Sequence, residues 1–218
     1  MSAMSSSTSA ARGVVGLVIA GGRSVRFDGE KAVAKLAGRP LLIWAAARLQ
    51  ASCSAVAVNA RPGTETEALA RVAGLEVLHD EAGDAQGPLA GVKVGLMWAE
   101  HLGVGSLAVS PCDAPLLPED LFVRLIQEAG AGAAMAETAE GRQPLCAVWP
   151  VSALATVKEA LADGRHPATW MVLERVAAKH VVFSCAEAFA NVNTRLELAA
   201  VAERLQAEQA QPSGSSTQ

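Results

Sequence analysis

The feature that most constrains this chain is the continuously apolar run Val14 to Ala20, which passes directly into Gly21-Gly22. A strand with no polar alternation is a strand covered on both faces. Such strands belong to parallel sheets flanked by helices. The rest of the chain agrees. Short apolar runs (Ala55 to Val58, Leu75 to Leu78, Ser106 to Ser110) alternate with helical patterns (Pro40 to Ala51, Glu65 to Ala73, Pro88 to His101, Pro118 to Ala129). This β–α–β–α order implies parallel strands joined by crossover helices. Three of the four helices are expected to open on proline, where a missing N–H costs nothing. The order then loosens. Gly132 to Ala136 and Leu145 to Trp149 read as strands with a polar turn, AEGRQP, between them. Helices are expected over Ala153 to Asp163 and Ala168 to Ala178, and a strand over His180 to Ser184. The last helix runs from Thr194 to about Gln209. Its start is marked by Thr194 and Glu197, which have the spacing of a capping box.

Composition narrows the class. With 218 residues, 51% of them apolar and no tyrosine, the chain can bury one sizeable α/β core built of Ala, Val and Leu. Residues 1–12 and 211–218 are Ser-rich and read as loose tails, leaving 13–210 as a single domain. The formal net charge of −4 gives no footprint for nucleic acid. Cys53, Cys112, Cys146 and Cys185 are scattered without metal or disulfide spacing, which suits reduced thiols in the cytoplasm. Only Arg12 precedes the first apolar run, the run is short, and no clear cleavage site comes after it. It reads as a buried strand rather than a signal peptide or membrane span.

The chemistry is expected in two segments. In the first, the strand Ile19-Ala20 meets Gly21-Gly22, with Arg26 and Lys31 beyond. Glycines let backbone N–H groups approach a phosphate closely, and the two cations can neutralise its oxygens. The spacing is neither G-x-G-x-x-G nor Walker A, and Gly-Gly alone more often marks a plain turn; Arg26 and Lys31 in the same loop tip the reading to phosphate. In the second, Ser110-Pro111-Cys112-Asp113-Ala114-Pro115 closes a parallel strand, where open α/β sheets place ligands. Asp113 there is suited to hold Mg²⁺, which favours one or two carboxylates plus phosphate oxygens and water. On this segment alone, a turn or helix-cap role for Asp113 stays open. Asn59 and Asp80 also fall at strand ends, so they should share the crevice. His79 reads as a surface residue, and Met97 and Trp98 as core. The loop Gln86 to Gly91 enters a helix whose free N–H groups could face an anion.

Together, AGGRSVRFDGEK (20–31), QGPLAG (86–91), PCDAP (111–115) and NVNT (191–194) resemble the molybdenum cofactor guanylyltransferases over roughly residues 14–205. The resemblance implies a three-layer Rossmann-like nucleotidyltransferase fold with a mostly parallel central sheet and helices on both faces. It implies GTP and molybdenum-bound molybdopterin as substrates, Mg²⁺ as cofactor, and no nucleic acid or membrane partner. Molybdenum cofactor insertion proteins or target molybdoenzymes would be compatible protein partners. By position, Ile19, Ala20 and Gly21 would hold the nucleotide through their backbone, and Gly22 would let guanine approach. Lys31 would contact the triphosphate, Asn59 and Asp80 the guanosine, and Asp113 the metal. Asn191 and Asn193 would lie beside the acceptor or metal, and Gln143-Pro144 on the acceptor side. The Gly-Gly pair is more typical of the members that use GTP. The stretch Arg26-Phe27-Asp28-Gly29-Glu30-Lys31 is one residue shorter than the family's usual loop, with Glu30 keeping the charge of the usual aspartate before Lys31. The readings that compete with this one are a transferase using CTP or a sugar phosphate, and a non-catalytic nucleotide- or cofactor-binding protein.

Overall fold

The computed structural model describes residues 13–21, 27, 29–81 and 87–210. Gly22, Arg26, Gln86 and both expected tails lie outside these residues. The chain runs β1 (Val14–Ile19), β2 (Lys35–Leu36), β3 (Arg39–Pro40), α1 (Leu41–Gln50), β4 (Val56–Asn59), α2 (Glu65–Val72), β5 (Glu76–Leu78) and α3 (Pro88–His101). It continues through β6 (Ser106–Pro111), α4 (Leu121–Ala129), β7 (Ala134–Thr138), β8 (Gly141–Pro150), α5 (Leu154–Leu161), α6 (Thr169–Arg175), β9 (Lys179–Val182) and α7 (Arg195–Ala210).

Seven strands form one sheet in the order β5-β4-β1-β6-β8-β7-β9. β5, β4, β1 and β6 are parallel neighbours, β8 runs antiparallel to β6 and β7, and β9 is parallel to β7. Only β8 therefore opposes the common direction, and the sheet is mostly parallel. Alternate residues of β1 feed two separate cores. Val18 packs with Leu42, Leu49, Leu121 and Leu125 from α1 and α4. Leu17 packs on the other face with Val92 and Leu96 of α3, Val157 of α5 and Leu173 of α6. Both β1 residues have no exposed surface. The expected three layers arise from a strand that is apolar at every position. Met97 and Trp98 are partly buried against the second core. Among the described residues, no helix is long and apolar enough to cross a membrane.

Several boundaries differ from the sequence reading. Pro40 ends β3 rather than opening α1, because its ψ of 144° is extended. Pro118 does not open α4 either. Its carbonyl accepts from Leu121 N–H at 3.3 Å, closing a turn ahead of the helix. The short hairpin of β2 and β3 has no periodicity to announce it. The largest difference is β8. The expected turn over residues 139–144 shrinks to Ala139-Glu140, so Gln143 and Pro144 belong to the strand. The ladder there jumps from Met135↔Ala147 to Ala136↔Gln143. This irregular stretch accommodates Pro144, which has no N–H to donate.

Helix α3 lies close to the sheet because of Gly95. A Cβ there would stand 2.6 Å from Leu17 Cδ2 and 2.8 Å from Leu107 Cδ2. Gly95→Val is expected to cost about 1–3 kcal/mol by overpacking. Urea unfolding checks this: the midpoint should fall while the slope stays unchanged.

Candidate active site

The parallel strands β1, β4, β5 and β6 all end on one edge of the sheet, and their exits are tied together. Ala20 N–H donates to Asn59 O (3.0 Å), Ala60 N–H to Leu78 O (3.1 Å) and Cys112 N–H to Ile19 O (3.2 Å). A cavity of about 670 Å³ opens over this edge, lined in part by Ile19, Ala20, Gly21, Asn59, Asp80 and Asp113. Lys31 also faces it. The cavity lies within the usual size range of small-molecule sites, about 300–1,000 Å³.

Lys31 begins the 3₁₀ turn Lys31–Val33. Its Nζ donates to Asp113 Oδ2 at 2.8 Å and to Asn193 Oδ1 at 3.0 Å. The lysine and aspartate side chains are only 12% and 22% exposed, so the pair is only weakly screened by water. A further bond fixes the third member. Val192 N–H donates to Asp113 O at 2.8 Å, drawing the segment from Asn191 to Asn193 against β6. Within that segment the two asparagines separate. Asn193 reaches Lys31, whereas Asn191 is exposed and does not line the cavity. The helix cap read from sequence is present: Glu197 N–H donates to Thr194 Oγ1 and Thr194 N–H to Glu197 Oε2, both at 3.1 Å. Glu197 Oε2 also accepts from Asn193 N–H.

At the β4–β5 side, Asn59 is 3% exposed. Its Nδ2 donates to Asp80 Oδ1 at 2.8 Å, which turns a cavity-lining carboxylate into a fixed acceptor. Its Oδ1 lies against the helix carrying Gly91, where a Cβ would come within 2.6 Å. Gly87 and Pro88, at the start of α3, also line the cavity.

Asp113 could hold a Mg²⁺ ion whose other ligands come from substrate and water. Its carboxylate is on the wall of an open cavity, whereas those of Glu30, Asp80 and Glu81 on the same wall are held by Thr66, Asn59 and Lys93. Among the described residues, no group of three or more His, Cys, Asp or Glu could cage an ion without help. Mg²⁺ takes its remaining ligands from phosphate and water. Cys112 also lines the cavity, but its buried thiol is poorly suited to act as a nucleophile. Burial pushes its pKa up to about 12, and the neighbouring Asp113 charge adds to this.

His79 departs from its expected surface position, and further residues join the cavity wall. Gln143 and Pro144 belong to β8 and do not line this cavity; Leu145 is the residue of that stretch facing it. His79 is only 33% exposed and sits between Ala60 O (2.8 Å from Nδ1) and Glu67 (3.2 Å from Nε2). Arg61 and Glu81 line the cavity and were not singled out from sequence. Glu81 is held by buried Lys93 at 2.6 Å. Their signal was available: both lie just past strand ends.

Residues 16–182 match the model of the MobA-like NTP transferase domain, and that match spans most of the chain. The chain belongs to the MobA-like NTP transferase family. Relatives named molybdenum cofactor guanylyltransferase agree. One from Cereibacter sphaeroides is 39% identical over 188 residues, 84% of this chain and 93% of the relative. Another, from Cupriavidus metallidurans, is 36% identical over 195 residues, 85% of this chain and 92% of the relative. Among solved structures, molybdopterin-guanine dinucleotide biosynthesis protein A from Archaeoglobus fulgidus superposes with a TM-score of 0.68 at 22% identity. That superposition covers 89% of this chain and 99% of the other. A 4-diphosphocytidyl-2C-methyl-D-erythritol synthase from Anaerococcus prevotii gives 0.70 at 11% identity, covering 89% and 96%. At these identities the two structures speak to the fold alone.

As a MobA-like transferase, the chain should take its nucleotide in this cavity, and Gly91 offers a clean probe. Gly91→Ala places a methyl against Asn59 Oδ1 and Ile19 Cδ1 (2.6 and 2.7 Å). Asn59 must shift and release Asp80. Calorimetry should find nucleotide affinity reduced by about tenfold, or ~1.4 kcal/mol. Unchanged affinity would contradict the placement of Asn59 and Asp80 in the nucleotide site.

Proposed function

We propose that the chain is a molybdenum cofactor guanylyltransferase, which transfers GMP from GTP to molybdenum-bound molybdopterin and releases pyrophosphate. The observation that carries the site reading is the meeting of Lys31 and Asp113 on the wall of the cavity at the strand ends, with Asn193 hydrogen-bonded to the lysine. The GTP choice is supported by the relatives at 36–39% identity that carry the guanylyltransferase name.

The reaction is an in-line displacement. A terminal phosphate oxygen of the pterin attacks the α-phosphorus of GTP. One P–O bond forms, the bond to the β-phosphate bridge breaks, and its electron pair leaves with pyrophosphate. The protein needs no covalent nucleophile; it positions two anions and screens their repulsion. Lys31 stabilises charge developing on the leaving pyrophosphate, the role the sequence suggests for Arg26 as well. Asn193 holds the lysine head group in place. Asn59 and Asp80 fix the guanosine end, with the backbone of Ile19, Ala20 and Gly21 alongside. Asp113 would hold Mg²⁺, which when bound neutralises phosphate oxygens. Before nucleotide enters, Lys31 serves Asp113 as its counter-ion. Nucleotide binding then exchanges one anionic partner of Lys31 for another, and the released Asp113 would be free to hold Mg²⁺. The four free cysteines, Cys53, Cys112, Cys146 and Cys185, are in keeping with work in the cytoplasm.

The test is pyrophosphate release with GTP, CTP, ATP and UTP in turn, with molybdenum-bound molybdopterin as acceptor, with and without Mg²⁺. Turnover is expected with GTP and Mg²⁺. A preference for CTP would move the assignment to a cytidylyl enzyme, and tight GTP binding without turnover would favour a carrier. Lys31→Ala and Asp113→Ala should each lose at least ~10²-fold in rate while remaining folded. Near-normal release from either folded variant would refute its role.

A further inference from the structure

The first turn of α2 is capped from outside the helix. Helix N-termini leave several N–H groups without intrahelical partners. In α2, the Glu67 N–H is met locally by the N-cap Thr64 Oγ1 at 3.3 Å. The two preceding N–H groups are met by Glu30. Glu65 N–H donates to Glu30 Oε1 at 3.2 Å and Thr66 N–H to Glu30 Oε2 at 2.8 Å. The Thr66 hydroxyl adds a third bond to Oε2 at 2.6 Å. Thr66 is 3% exposed, so this contact is anchored in the body of the protein.

Glu30 is also the residue before Lys31. Its carbonyl accepts from Val33 N–H at 3.3 Å and so starts the 3₁₀ turn that carries the lysine. The far end of the turn is tied by Ala34 N–H to Lys31 O at 3.0 Å and by Leu41 N–H to Ala34 O at 2.9 Å. The turn is therefore held by α1 on one side and, through one carboxylate, by α2 on the other.

An anion on the wall of a triphosphate site is repulsive unless its charge is spent elsewhere. Glu30 lines that wall. Burial by itself raises its carboxyl pKa. The Thr66 hydroxyl, the Thr66 and Glu65 N–H groups and the nearby Arg61 outweigh this and bring it below the ordinary carboxylate value. Glu30 is thus ionised at working pH, and its charge is directed into the helix start and away from the nucleotide.

We propose that Glu30 is a positioning residue for Lys31: its capping of α2 anchors the turn so that Lys31 Nζ projects to the point between Asp113 and Asn193. This rests on the reading of Lys31 as the triphosphate contact. Glu30 acts only through that lysine and touches neither phosphate nor acceptor.

The experiment is a double-mutant cycle on the full chain, read by kcat/KM for GTP and by the dissociation constant for GTP. Glu30→Ala alone should lower kcat/KM by about 10–100-fold, the scale of a roughly 1 Å misplacement of a catalytic group. In a Lys31→Ala background the same substitution should cost less than about threefold, because coupled residues are not additive. Thr66→Val keeps the side-chain shape and the N–H while removing the hydroxyl bond. It should show a smaller loss that also vanishes without Lys31, and it decides the matter if Glu30→Ala does not fold. Equal losses with and without Lys31 would make Glu30 a purely structural residue and overturn the proposal. Near-normal turnover of Lys31→Ala would instead remove the underlying reading of the lysine, and the two failures are distinct.

Discussion

The site depends on one partly buried ammonium group. Lys31 Nζ touches Asp113 and Asn193, residues 82 and 162 positions away in sequence. Removing a charge from water is costly unless it is paired and hydrogen-bonded, and the two oxygens supply that pairing. The requirement runs outward into the fold. Asp113 is in reach because β6 pairs with β1 in register, Ile19 opposite Pro111. Asn193 is in reach because Val192 is hydrogen-bonded to the Asp113 carbonyl. The lysine is aimed by a turn fastened to two helices.

The sheet supplies the rigid frame. Four parallel strands end side by side, and each delivers a residue to one cavity: Gly21 just past β1, Asn59 closing β4, Asp80 just past β5 and Asp113 just past β6. The two glycines of α3 let that helix approach the frame closely. Gly95 meets Leu17 and Leu107 in the core, and Gly91 meets Ile19 and Asn59 at the cavity. The same helix that closes the second core thus also sets the depth of the nucleotide end. Packing and binding are coupled through one element.

Much of this was legible in the chain because it is locally encoded. A strand apolar at every position must be covered on both faces, and residues that end parallel strands must share an edge. The capping pair Thr194 and Glu197 marked its helix because both partners lie within one turn. What was not legible is long-range or two-residue in scale. The β2–β3 hairpin is too short for periodicity. The N-x-N segment looks symmetric in sequence; two hydrogen bonds to distant residues, Val192 N–H to the Asp113 carbonyl and Lys31 to Asn193, decide that Asn193 rather than Asn191 meets the lysine. Gln143 and Pro144 were misplaced because a ladder irregularity, rather than a turn, absorbed the proline. Glu30 read as a charged neighbour of Lys31; its partners are 35 and 36 residues away, on a helix whose closeness no local pattern encodes.

The most direct measurement is a crystal structure of the chain with Mg²⁺ and a GTP analogue that cannot be cleaved at the α-phosphate. The account predicts phosphate oxygens within hydrogen-bonding distance, about 3 Å, of Lys31 Nζ, with the metal on Asp113 and the guanosine beside Asn59 and Asp80. A nucleotide bound elsewhere, or in this cavity with the Lys31–Asp113 pair intact and no phosphate against either residue, would contradict it.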